Sequence, residues 1–188
     1  MAENNYSYRA YSMEYGTFVG LGWGALFLCY VGGICTGNAL LIFLCLLLFP
    51  VCMVLPFMLA LRLNRKFAKA QIRLKYMYGL LFSASMLMYA CLLTGLTEFA
   101  YFAHFDDGTL ITQLSLMLSQ PEAVATYHQL GMSESYTQLT DMLQEIDAMT
   151  PFEKALSLFN SHFLSSMFLS PFVAIVASWN LKKKPQQQ

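Results

Sequence analysis

Two side chains stand out as a pair that could do chemistry together: Glu98, near the end of one long apolar run, and His162, inside another. An ionised carboxylate in lipid costs several kcal/mol unless it has a partner or a purpose. An imidazole at similar depth is a natural partner, because it titrates near neutral pH and hydrogen-bonds through either ring nitrogen. His104 follows Glu98 closely and completes a candidate cluster. Ser157, Ser161 and Ser165 recur every four residues around His162, with Asn160 and Ser166 beside them. Such a stripe suits hydrogen bonding between helices. One reading is therefore a polar cluster at the outer end of a bundle, able to serve as a pH-sensitive contact or a head-group site. The other reading is simpler. From Tyr76 to Glu98 is 22 residues, about 33 Å of helix against about 30 Å of hydrocarbon. Glu98 then marks the outer membrane edge, with access to water, among the aromatic belt of Phe99, Tyr101, Phe102 and Phe105.

Other chemistry is thinly represented. His104, Asp106 and Asp107 offer nitrogen and oxygen donors, but no second cluster has zinc spacing, so no metal and no cofactor is expected. No nucleophile elbow, HExxH or phosphate-cradling glycine loop occurs. No catalytic residues are assigned, and the chain is not expected to be an enzyme. The cysteines, Cys29, Cys35, Cys45, Cys52 and Cys91, are odd in number, form no CxxC and read as small packing residues.

The elements that must position Glu98 and His162 are membrane spans. The chain is 57% hydrophobic and 12% charged, against about 25% charged in soluble domains. Apolar runs of this length span a bilayer. The expected organisation is a cytoplasmic N-terminus over 1–14 and a hairpin of spans one and two over 15–61. A basic cytoplasmic loop follows over 62–75, then span three over 76–103. An acidic extracytoplasmic helical segment covers 104–157, span four 158–181 and a cytoplasmic tail 182–188. Arg62, Arg65, Lys66, Lys69, Arg73 and Lys75 in the loop, Lys182, Lys183 and Lys184 in the tail and Arg9 are ten of the eleven basic residues. All fall on one side, and the positive-inside rule makes that side cytoplasmic. The six loop bases are expected to contact anionic lipid head groups. Charge this segregated excludes a nucleic-acid binder, which needs a broad basic surface.

Span one carries Gly16, Gly20 and Gly24 at four-residue spacing, a groove that lets another backbone approach closely. Its expected occupant is span two or span four of the same chain, or else a second copy or a partner protein. Pro50 and Pro56 in span two and Pro171 in span four each remove an internal hydrogen bond. Between spans three and four, Leu110, Leu114, Met117 and Leu118 share one helical face, which Pro121 interrupts. Ser133 is expected to cap a further helix bearing Met132, Tyr136, Leu139, Leu143 and Ile146, and Asp106 and Asp107 to cap the first, with Gly108 as the turn. Thr150-Pro151-Phe152-Glu153 is a capping box with proline at the first helical position.

Tyr15-Gly16 opening span one, and Tyr78-Gly79 followed by Phe82 after a basic stretch, form a recognisable pattern. So do Gly131-Met132-Ser133-Glu134 in the outer segment and Pro151-Phe152 leading to the last span and a lysine-rich tail. The whole resembles the four-span inner-membrane proteins, common in Bacteroidota, known as the domain of unknown function 4199 family. The likeness covers most of the chain. It implies a bacterial inner-membrane location and brings no activity or catalytic residues. Glu98 stands where that pattern would place an uncharged polar residue. The fold expected is all-α, an integral membrane four-helix bundle with an extracytoplasmic helical insertion between spans three and four. The function expected is a non-enzymatic accessory or scaffold subunit of an envelope complex, with a protein partner or as a homo-oligomer. The alternative is a small transporter or channel with a polar site near Glu98 and His162.

Overall fold

The computed structural model describes residues 2–70 and 74–179, with side chains from Tyr8 onward. The described residues form helices α1 (Ala2–Thr36), α2 (Ala39–Lys69), α3 (Tyr76–His104), α4 (Thr109–Leu118), α5 (Pro121–Gln129), α6 (Ser133–Ala148) and α7 (Pro151–Ser178). Helices α1, α2, α3 and α7 are long and apolar enough to cross a membrane. The chain is an all-α four-helix bundle, and α4, α5 and α6 form a small cap joining α3 to α7 at one end.

Tight local signals set the connections. Gly37, at φ +64°, turns the chain after α1, and Asn38 then caps α2 by accepting from the Leu40 amide at 3.0 Å. At the start of α7 the capping box closes both ways: the Thr150 hydroxyl accepts from the Glu153 amide at 3.3 Å. The Glu153 carboxylate accepts from the Thr150 amide at 2.8 Å. Ser133 does not cap α6; Met132 holds that position without a side-chain bond. The Ser133 hydroxyl instead bonds His128 Nδ1 at 2.8 Å, because α5 turns back onto the start of α6. Asp107 accepts from the Thr109 amide at 3.2 Å and from the Thr109 hydroxyl. The hydroxyl first, and then the amide, hold its carboxyl below the usual range. Gly108 supplies the left-handed turn before α4.

Two helices run further than their apolar stretches. Residues 1–14 were expected as an extension before span one, yet α1 begins at Ala2. Its first turns are held by rings: Tyr8 stacks on Phe67 at 5.0 Å and on Tyr78 at 5.8 Å. Segment 62–75, expected as a loop, is helical to Lys69. Leu63, Asn64 and Phe67 face the bundle and are buried, while Arg62, Arg65, Lys66 and Lys69 are exposed on the other face. This amphipathic period continues the helix past the apolar run.

Helix α3 is the centre, packed against α1 on one side and α7 on the other. The glycine groove of α1 fits onto α3, not onto span two or four as expected. A Cβ on Gly16 would lie 2.5 Å from the Met86 carbonyl oxygen and one on Gly20 2.8 Å from Leu93 Cβ. One on Gly24 would meet Thr97 Oγ1 at 3.0 Å. α3 presents Gly79 and Gly95 to α7 in the same manner. Two apolar clusters result. Tyr15, Leu63, Phe82, Met86 and Val173 form one near the basic end. Val31, Ile34, Phe102, Leu110 and Ala155 form the other beneath the cap.

The cap is clamped by Asp106 and Lys154, 3.6 Å apart, whose side chains are 3% and 9% exposed. Breaking one partner of a buried pair costs on the order of 3–5 kcal/mol, whereas replacing both with apolar groups is near neutral. We therefore expect Lys154→Ala to loosen the cap, read as faster proteolysis of α4 to α6 and an earlier thermal transition in detergent. Asp106→Leu with Lys154→Met should recover most of that loss. On α1, Gly16→Ala should destabilise by about 1–3 kcal/mol through overpacking. Gly22→Ala, whose added Cβ would sit 3.6 Å from Leu55 Cδ2, should be tolerated in the same melt.

Candidate functional site

A polar layer lies between the two apolar clusters. The Thr94 hydroxyl donates to its own helix at Ala90 O and, at 3.4 Å, to Gly20 O of α1. Cys91 Sγ and Ser166 Oγ are 3.1 Å apart, fully between α3 and α7. One turn after Thr94, Glu98 Oε1 and His162 Nε2 share a hydrogen bond of 2.8 Å. Glu98 is 0% exposed, so it is not a wet interfacial carboxylate. The physical reason is rotation about α3. Glu98 follows Ala90, Cys91 and Thr94 on the face turned to the bundle, whereas Phe99 points outward. Depth along the helix, which a residue count measures, does not report that rotation.

The second oxygen of this carboxylate, Glu98 Oε2, is buried and has no hydrogen-bond partner among the described residues, while the His162 side chain is 37% exposed. The exposed side of the pair borders a cavity of about 590 Å3. Its walls are Trp23, Phe27 and Tyr30 of α1, Phe49 and Met53 of α2, and His162 of α7, with Glu98 contributed by α3.

Proline chemistry places the main wall. Pro56 has no N–H, so the Cys52 carbonyl one turn earlier in α2 loses its intrahelical donor. The Trp23 indole N–H donates to that carbonyl at 3.2 Å. In lipid such a carbonyl must find a partner inside the protein. The bond pins Trp23 with its ring centroid 6.2 Å from that of His162. Near the basic end, α2 meets α7 through Asn64, which donates to the carbonyls of Val176 at 3.1 Å and Trp179 at 2.8 Å. Toward the cap, no residue of α2 from Ala39 to Val51 is buried. That half of α2 stands away from α7, and the space between them is the cavity.

Other sequence candidates fall elsewhere. His104 is exposed at the end of α3 and does not join Glu98 and His162. Asp106 faces Lys154 and Asp107 faces Thr109, so the three do not converge as metal ligands. Among the described residues, no group of three or more His, Cys, Asp or Glu is arranged to hold a metal ion. Of the serine stripe, Ser161 bonds only its own helix at Ser157 O, while Ser166 turns to Cys91. Arg62, Arg65, Lys66, Lys69 and Lys75 are exposed at the end opposite the cap. There Lys66 Nζ lies 4.5 Å from the centroid of the Tyr11 ring. Arg73 and Lys182, Lys183 and Lys184 lie outside the described residues. Trp23 and Phe49 were not singled out from sequence. The readable signal was a tryptophan deep in a span, away from the interfaces where Trp collects, opposite a span with an internal proline.

The pair should respond asymmetrically to mutation. His162→Leu strands a buried carboxylate and should cost on the order of 3 kcal/mol in detergent unfolding. Glu98→Leu removes the buried carboxyl and leaves a partly exposed imidazole, and should cost far less. The double variant should match Glu98→Leu; a destabilisation equal to the sum of both would mean the two side chains are not coupled.

No curated protein and no solved structure matches the chain. A family model described as "Protein of unknown function (DUF4199)" matches residues 14–183, which takes in all four spans, the cap and both members of the polar pair. This multi-pass membrane protein belongs to the DUF4199 family.

Proposed function

We propose that this membrane protein holds a small amphipathic molecule in the cavity between α1, α2 and α7, as a non-enzymatic binding protein or small carrier. The observation that carries the reading is the Glu98–His162 pair bordering an aromatic cavity of about 590 Å3. Small-molecule sites are mostly apolar hollows of about 300–1,000 Å3 with a few converging polar groups. Tyr30, Phe49 and Met53 on its walls are 44%, 51% and 41% exposed, which supports lateral entry from the lipid. Segregated charge supports an orientation with the basic end and both termini in the cytoplasm of a bacterial cell and the cap outside the inner membrane. Arg62, Arg65, Lys66, Lys69 and Lys75 then contact anionic head groups.

A second reading, an accessory subunit of an envelope complex or a homo-oligomer, is favoured by exposed Leu130, Met132 and Met142 on the cap. The glycine groove no longer favours it, because α3 fills that groove.

The test uses Trp23 as the reporter, with Trp179→Phe removing the other tryptophan. A bromophenyl-alkyl alcohol titrated into the protein in nanodiscs should quench Trp23 fluorescence saturably. Cys45→Phe, which fills the cavity wall, should abolish the saturable component. Equal, linear quenching in both proteins would remove the cavity as a binding site.

A further inference from the structure

We propose that the ligand of this cavity is a lipophilic amine, a molecule with an apolar body and a protonated primary ammonium that seats on Glu98 Oε2. The inference rests on the cavity being a binding site and names the chemistry of its occupant.

Three observations carry it. First, Glu98 is 0% exposed, yet only one of its two oxygens is used, on His162. Oε2 is a buried acceptor with no donor among the described residues. An unsatisfied buried acceptor is costly, and most of all when the group carries charge. A ligand that brings a donor removes that cost; because the carboxylate itself is closed to solvent, the ligand reaches it by a shift of the partly exposed His162 side chain. Second, the cavity favours positive charge. Its walls contain no Lys or Arg. Of the described bases, Lys154 is engaged by Asp106, and the others lie at the far end of the bundle or on its surface there. A carboxylate or phosphate entering here would meet the Glu98 carboxyl with no Lys or Arg beside it among the described residues. An aminophospholipid is disfavoured for this reason, because its phosphate would have to follow its amine inside.

Third, the walls suit an ammonium. Trp23, Phe27, Tyr30 and Phe49 line it, and a cation within about 6 Å of an aromatic face is attracted by the ring quadrupole. The remaining volume is apolar and takes a hydrocarbon or aromatic body, as expected for a molecule arriving from lipid.

The experiment compares three head groups on one body: a bromophenyl-alkyl amine, its alcohol and its carboxylate, titrated against Trp23 fluorescence in zwitterionic nanodiscs at neutral pH. The amine should bind about tenfold or more tightly than the alcohol, as a charge-assisted hydrogen bond predicts, and the carboxylate most weakly. Glu98→Gln should bring amine and alcohol within about threefold of each other. The head-group comparison on the chain with Glu98 intact needs no variant at that site, so poor folding of Glu98→Gln cannot rescue the idea. Equal affinity for amine and alcohol would overturn it, as would an amine preference that survives in Glu98→Gln. Saturable alcohol binding that Cys45→Phe removes, without an amine preference, would retain the cavity as a site and sink only the amine. Absence of saturable quenching by any of the three would sink both.

Discussion

The structure depends on how closely α1 can approach α3. Membrane helices have little hydrophobic drive to associate, since lipid is as apolar as their side chains, so association comes from close packing and hydrogen bonds. Gly16, Gly20 and Gly24 put the α1 backbone against Met86, Ala90, Leu93 and Thr97 with no room for a methyl group at the first two positions. On its other side α3 meets α7 through Gly79 and Gly95, and the Ser83 hydroxyl donates to Ser170 O at 2.9 Å. Three helices are thereby locked together, and the fourth is left with weaker attachments.

Helix α2 is held by polar latches more than by buried area. Its buried residues run from Cys52, near the middle, to Phe67 at the basic end. Asn64 ties that end to α7, and Trp23 ties the middle to α1 at the carbonyl freed by Pro56. Beyond Cys52 toward the cap, an apolar face suited to lipid replaces packing against α7. The cavity is the geometric consequence. A proline and a tryptophan, neither of them chemically reactive, decide where a cavity opens beside the buried Glu98–His162 pair.

The polar groups in this bundle are graded by how completely they are satisfied. Thr94, Ser83 and Ser166 find partners across helix boundaries and act as glue. Glu98 finds one partner for two oxygens, and that partner is partly exposed. In a low-dielectric interior, a half-satisfied network is where free energy remains to be gained by binding. Asp106 and Lys154 resemble Glu98 and His162 in being a buried acid with a base, but they lie under the cap among Phe102, Leu110 and Ala155. That pair fastens an element, although Asp106 Oδ1 is likewise without a partner among the described residues.

Composition, apolar run length and charge placement in the amino-acid sequence by themselves determined a four-span, all-α membrane protein with a basic end, an acidic helical insertion and a capped fourth span. These follow from local rules: about 1.5 Å of rise per residue, the cost of charge in lipid and the chemistry of helix ends. Sequence also brought Glu98 and His162 to a common depth, because depth is a count along each helix. It left open whether they met, since rotation about the axis and choice of neighbour depend on contacts distant in the chain. It placed the glycine groove correctly on α1 but misassigned its occupant, as nothing in α1 alone distinguishes α3 from α2 or α7. The last turns of α2 were mistaken for a loop because their charges obscured the buried period of Leu63, Asn64 and Phe67. Only the tertiary structure decided that Glu98 is dry, that His104 stands apart and that an aromatic cavity opens beside the pair, because each is a relation between helices.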